Sequence, residues 1–154
     1  MSLADDRKAM IAILQHLVVP RLRTLGFRGS FPHFHRLHED RTDLLMFQFD
    51  KYGGGFVVEL GTCPAGDFVT SWGKHIPAKK LEVSYLNPDQ RYRLGAIDKG
   101  EDHWFRYDHG NHWRRPKVFK DLAQEVIQLL DEQAVSWWGA AQHPLETTAP
   151  SGAG

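Results

Sequence analysis

Between Asp5 and Leu25 the apolar residues Ile11, Leu14, Val18, Leu22 and Leu25 recur at steps of three and four, with Met10 and Leu17 widening the stripe. That spacing places them on one face of a helix. Asp5 and Asp6 complement the positive end of the helix dipole, and Gly26 followed by Phe27 reads as a left-handed C-terminal cap. Pro20 interrupts the pattern, because it lacks an N–H and its ring clashes with the carbonyl four residues earlier. A kink near Val19, or two shorter helices, is therefore expected.

After Gly26 the period shortens to two. His33 to His38 alternates Phe34, Arg36 and His38 with His33, His35 and Leu37, as a strand does. Glu39 to Asp43 is polar enough for a hairpin connection, and Leu44 to Phe49 reads as an apolar strand. Tyr52-Gly53-Gly54-Gly55 forms the next turn, and Phe56, Val58 and Leu60 alternate with Val57, Glu59 and Gly61 in a third strand. Cys63 to Gln90 is broken by Pro64, Gly66, Gly73, Pro77 and Pro88. Only Leu81, Val83 and Tyr85 alternate there, so a short strand or helical turn is expected in a segment of the kind that often carries function. Strands at Tyr92 to Ile97 and His103 to Tyr107 follow. A second long helix opens at Pro116 and keeps Phe119, Leu122, Val126, Leu129, Leu130 and Trp137 in helical spacing until Gly139.

Helix, several strands, helix is not the alternation of a parallel α/β fold. The economical architecture is α+β: an antiparallel sheet of five or six strands with the N-terminal and C-terminal helices packed on one face. One domain over residues 5–142 accounts for the pattern, and the small, polar residues 143–154 read as a disordered tail.

Composition narrows the function classes. No apolar run approaches the ~18 residues of a membrane span, so no membrane role is expected. Nineteen basic residues balance nineteen acidic ones, which argues against nucleic acid as a partner while leaving a local basic patch open. Cys63 is the only cysteine, which excludes an internal disulfide and suits a reducing, cytoplasmic setting. Residues 1–15 lack the uninterrupted apolar core of a signal peptide.

Several scattered features carry a resemblance. They are Gly26-Phe27 after the first helix, Phe34 and Arg36, Phe47-Gln48, Phe56 to Gly61 (FVVELG), Arg93-Leu94-Gly95 and the Trp137-Trp138 pair. In this order the chain resembles a family of uncharacterised bacterial domains of unknown function, DUF4304-like, over roughly residues 5 to 140. The resemblance implies an α+β fold and a bacterial, cytoplasmic setting, and no chemistry. Glu59 departs from the family pattern, where an amide-type residue is expected.

The candidate chemistry lies in three groups. His33 and His35 share a strand face, with Cβ atoms roughly 7 Å apart, close enough to ligate one divalent metal if His75, His103, His109, His112 or Glu59 supplied a third donor. Imidazoles on a solvated surface are the plain alternative. Arg36 and Glu59 sit within apolar strands and would have to pair if both faced the covered side, where they could line a ligand pocket. Trp72, Trp104 and Trp113 lie in or beside irregular segments with Arg106, Arg114 and Arg115, the composition of interaction hot spots or of a filled core. Cys63 carries no nucleophile signature, and Gly53-Gly54-Gly55 precedes a strand rather than the helix a phosphate loop needs. The leading reading is a noncatalytic binding or interaction module without a cofactor. It would use Arg36, Glu59, Trp72 and Trp104 to hold a protein partner or small ligand, an immunity-like grip on a toxin being one form. The alternative is a metal-dependent enzyme centred on His33 and His35.

Overall fold

The structure, a computed structural model, describes residues 2–140, so the expected tail and the last two residues of the expected domain lie outside the described residues. Ser2 caps α1 (Leu3–Leu17) by accepting from the Asp5 N–H, and Asp5 returns the bond to the Ser2 N–H. α2 (Val19–Thr24) follows with Pro20 in its first turn. The proline thus divides the apolar stripe into two helices, the second of the two expected outcomes. Gly26 at φ +96° closes α2, with its N–H on the Arg23 carbonyl and the Phe27 N–H on the Leu22 carbonyl. This double bond pattern needs the left-handed conformation that glycine adopts without steric penalty.

The sheet is antiparallel throughout and has six strands: β1 (Arg28–Ser30), β2 (His33–Leu37), β3 (Arg41–Phe49), β4 (Gly55–Pro64), β7 (Arg91–Arg93) and β8 (Phe105–Arg106). β1 to β4 lie in sequence order, and β7 and β8 both pair with β4. Between them β5 (Phe68–Val69) and β6 (His75–Ile76) form a separate hairpin. α3 (Arg115–Leu129) runs through a π-helical turn, Leu130–Ala134, into α4 (Val135–Ala140).

Register divides the sheet residues between two faces. Phe34 lies opposite Leu45, and Leu45 opposite Leu60; this side joins Met10, Leu14, Leu22, Phe119, Val126, Leu130 and Trp138 in the main core. Both terminal helical segments therefore cover one face, as the hydrophobic pattern requires. Asp6 ties α1 to α3 through an Arg115 Nη1–Oδ2 contact of 2.6 Å. The opposite face is not bare. Leu44 and Cys63 are buried there against Ile76, Leu81, Val83 and Leu86 from the irregular segment. Gly61 makes this closure possible, since a Cβ there would sit 2.6 Å from Leu86 Cδ1.

Several boundaries differ from the sequence reading, each for a local reason. β3 begins at Arg41, so Asp43 belongs to a strand rather than to a connection. Leu81, Val83 and Tyr85 are not a strand: tight helical turns at Ala78–Lys80 and Val83–Tyr85 bury Leu81, Val83 and Leu86 instead. The strand expected at Tyr92 to Ile97 ends at Arg93, because the chain turns at Gly95, φ +92°. The strand expected at His103 to Tyr107 shrinks to Phe105–Arg106.

In the last helix Trp138, not Trp137, is the core residue. Val126, Leu130, Ala134 and Trp138, spaced by fours, are all buried. A plain α-helix would let such a series drift by about 120° around its axis. The π-helical turn absorbs the drift and returns Trp138 to the core. There its ring lies 4.7 Å from that of Phe27, and its Nε1 donates to the Gly61 carbonyl at 3.1 Å. Trp137 packs only on the rim, beside Tyr92. Trp138→Ala should therefore lower unfolding free energy by about 3–5 kcal/mol. Trp137→Ala should cost about 1 kcal/mol. Urea titration of both variants would reveal a reversed ranking if the helix register were that of an uninterrupted α-helix.

Candidate functional site

Two strands and a helix cap converge on one carboxylate. Asp43 of β3 is fully buried, and cross-strand pairing sets it opposite Arg36 of β2 and Thr62 of β4. Arg36 donates from Nε at 3.1 Å and Nη2 at 2.8 Å to Oδ2, while Arg41 Nε reaches Oδ1 at 3.0 Å. His38 Nε2 contacts Oδ2 at 2.9 Å, and Thr62 Oγ1 donates to Oδ1 at 3.2 Å. Arg36 also donates from Nη1 to the Leu25 carbonyl at 2.7 Å and lies over the rings of Phe27 and Trp138, 4.6 and 5.2 Å from their centres. Arg36 is thus immobilised.

Beside this cluster, two hollows share His35 and Lys79. The larger, about 400 Å³, is lined by Gly26, Arg28, His35, Arg36, Leu37 and Lys79. The smaller, about 240 Å³, runs past β1 and β2 to Lys79, Lys80 and Glu82 and includes His33. They open where β1 stops at Arg28 and leaves Arg36 and Leu37 of β2 unpaired on that side. The turn Ala78–Lys80 forms the other wall. Among the described residues Arg28, Lys79 and Lys80 have no ion-pair partner, and Glu82 is the one acid lining either hollow, 3.6 Å from His33 Nε2. Burial, and then the charges of Arg23 and Arg28, hold the His35 imidazole below its ordinary value of 6.5. Positive charge is concentrated here on a chain whose formal net charge is zero.

Residues 18–140 match the family described as a domain of unknown function (DUF4304). The chain belongs to this family. Searches of curated proteins and of solved structures returned no match. The DUF4304 segment contains every strand, α2 and the whole C-terminal helical arm, and it begins at Val18, the residue between α1 and α2.

Within the DUF4304 segment, two pairs of the residues singled out by sequence come together: Arg36 and His35 line the larger hollow, and His33 and His35 the smaller. Glu59 does not join them. It faces the opposite side of the sheet from Arg36, where Arg93 Nε donates to its Oε1 at 2.6 Å and Arg93 Nη1 lies 3.0 Å from Asp102. The two strand charges are therefore separately paired. Glu59 and Arg93 line a hollow of about 470 Å³ with Arg91, Lys99 and Glu101. The cations there are already engaged: Arg91 donates to the Ser84 and Leu86 carbonyls, and Lys99 Nζ to the Asp89 carbonyl.

Trp72, 67% exposed, sits in the β5–β6 turn, and Trp104, 39% exposed, lies under the Arg106 guanidinium. Among the described residues, no ring contact joins either to another aromatic side chain, so no stacking platform is formed. His33 and His35 do share a face, yet no group of three His, Cys, Asp or Glu side chains that could hold a metal comes together among the described residues. Cys63 is buried, and that burial, followed by the Asp43 charge, pushes its thiol up to about 12, far from a reactive thiolate. Sequence reasoning missed Arg28, Lys79, Lys80 and Asp43. The Lys79-Lys80 pair that follows Pro77-Ala78 was the available signal for the two lysines, masked by the balanced overall charge.

Two outcomes follow from this geometry. Replacing Asp43 by Asn leaves Arg36 and Arg41 without their anion and should lower unfolding free energy by about 3 kcal/mol, read by urea titration. For His35, the folded pKa lies below the ordinary value, so its contribution to stability is full above 6.5 and is lost as pH falls through 6.5 toward the folded value. The urea midpoint of the wild-type chain should therefore fall more steeply with acidification than that of His35→Gln. Parallel slopes would show that the ring is not held neutral.

Proposed function

We propose that the chain is a noncatalytic binding module that recognises an anionic ligand, or the acidic surface of a partner, in the groove between β2 and the turn Ala78–Lys80. One observation carries this reading: Arg28 and Lys79, without carboxylate partners among the described residues, line the same hollow as Arg36 and His35, and Lys80 lines the neighbouring one. Cations that converge on one hollow attract an anion more strongly than the same charges spread over the surface. Arg36 adds a fixed donor, because its orientation is set by Asp43 and the Leu25 carbonyl before any ligand arrives.

The same charges weigh against a metal-dependent enzyme on His33 and His35. Arg23, Arg28 and Lys79 around His35 repel a divalent cation, and His33 faces only Glu82. A buried, unreactive Cys63 fits the reducing cytoplasm in which we place the protein.

The test is a panel of anions read by calorimetry: inorganic phosphate, citrate and a glutamate-rich peptide. At least one should bind, weaken as salt is raised, and lose most of its affinity in Arg28→Glu/Lys79→Glu. Absence of binding by the whole panel, or binding indifferent to the double charge reversal, would overturn the groove as the binding site. Stoichiometric metal retained by protein purified without a tag, and lost in His33→Ala/His35→Ala, would restore the enzyme reading.

A further inference from the structure

We infer that the larger hollow of this groove takes a phosphomonoester on a small molecule, with the phosphoryl group held by Arg28, Arg36 and Lys79; this rests on the anion-binding reading above. Size is the first argument. About 400 Å³ lies within the usual range of roughly 300–1,000 Å³ for small-molecule pockets. The hollow is lined along β2 by the Gly26 cap and the exposed end of the strand at Leu37. A single-stranded nucleic acid would need bases stacked on successive aromatic rings. Among the described residues no aromatic side chain lines this hollow, and Trp72 and Trp104 lie elsewhere.

Charge is the second argument. Arg28 and Lys79 have no partner among the described residues, while the single positive charge of Arg36 is already shared with Asp43. Two unmatched full charges and a partly neutralised third are best balanced by a dianion. A carboxylate brings only one charge and two oxygens. A phosphoryl group brings close to two charges and three acceptor oxygens, enough to match the unpaired cations Arg28 and Lys79 beside the Arg36 side chain. Arg36 is also the most rigid of the three, held on Asp43, the Leu25 carbonyl and two aromatic rings, so it gives the hollow a fixed wall against which Arg28 and Lys79 can close on a ligand.

Leu37 supplies the third argument. It is 45% exposed and lines the same hollow as the cations. An apolar wall beside a phosphoryl site favours a phosphate ester with a compact hydrocarbon or aromatic body over inorganic phosphate alone. Sulfate or phosphate ions by themselves would leave this apolar side chain unused.

Calorimetry on the full chain tests this with phenyl phosphate, glycerol 2-phosphate, inorganic phosphate, sulfate, benzoate, an oligothymidylate and a glutamate-rich peptide. Phenyl phosphate should bind with the highest affinity of the set, and Arg28→Ala and Lys79→Ala should each weaken it roughly tenfold. Both side chains are exposed, and the variants should keep the wild-type melting temperature. Lys99→Ala, in the separate Glu59 hollow, should leave binding unchanged. Leu37→Ser should reduce the advantage of phenyl phosphate over inorganic phosphate without abolishing either. Binding of the acidic peptide or the oligonucleotide in place of the phosphomonoesters would overturn this inference and leave the anion-binding reading standing. Equal affinity for benzoate or sulfate, or indifference to Arg28→Ala and Lys79→Ala, would overturn it as well. Silence from all probes would remove both.

Discussion

A fully buried carboxylate is stable as an anion only if its desolvation is offset by partners held in good geometry. Asp43 meets that requirement with two guanidinium groups, an imidazole and a hydroxyl, and the surrounding chain is arranged around it. Arg36 brings β2 into the cluster, Thr62 brings β4, and the Arg36 bond to the Leu25 carbonyl brings the end of α2. One charge therefore links the first three long strands to the helical layer. It also explains why an arginine is tolerated on the helix-covered face, between Phe27 and Trp138, where an unpaired charge would be expelled.

The helical layer answers to the same cluster. Trp138 must reach the sheet beside Arg36 and donate to the Gly61 carbonyl, and the π-helical turn is what lets it do so after a run of buried residues spaced by fours. On the other face Gly61 has the complementary role. Its missing side chain admits Leu86, and the irregular segment thereby gains a core of its own. The loop pinned by that core carries Lys79 and Lys80 to the sheet edge. The packing on one side thus positions the charges whose fixed member, Arg36, is set by packing on the other.

Period alone made the fold class legible. The helical stripe of Ile11 to Leu25, the alternation around Phe56 to Leu60 and the stripe from Phe119 onward specify two helical layers and an antiparallel sheet. What stayed hidden depended on contacts distant in sequence. Asp43 sits among Glu39, Asp40, Arg41 and Thr42, a composition typical of a turn, and only its pairing with Arg36 and Thr62 makes it a strand residue. Leu81 and Val83 alternate like a strand because Leu81 and Glu82 are extended, but tight turns on either side stop that stretch from growing into one. Of the candidate site, Arg36, His33 and His35 could be found on one strand. Arg28 and Lys79 could not be joined to them without knowing that the irregular segment folds back over the sheet.

The segment shared with the family starts at Val18, yet α1 lies before it and contributes Met10 and Leu14 to the core and Asp6 to Arg115. A fragment cut at the family boundary would leave the flank of α3 uncovered and Arg115 without its acid. Cutting there would trade a folded domain for a sticky one: the matched segment is shorter than the unit that packs together in this chain.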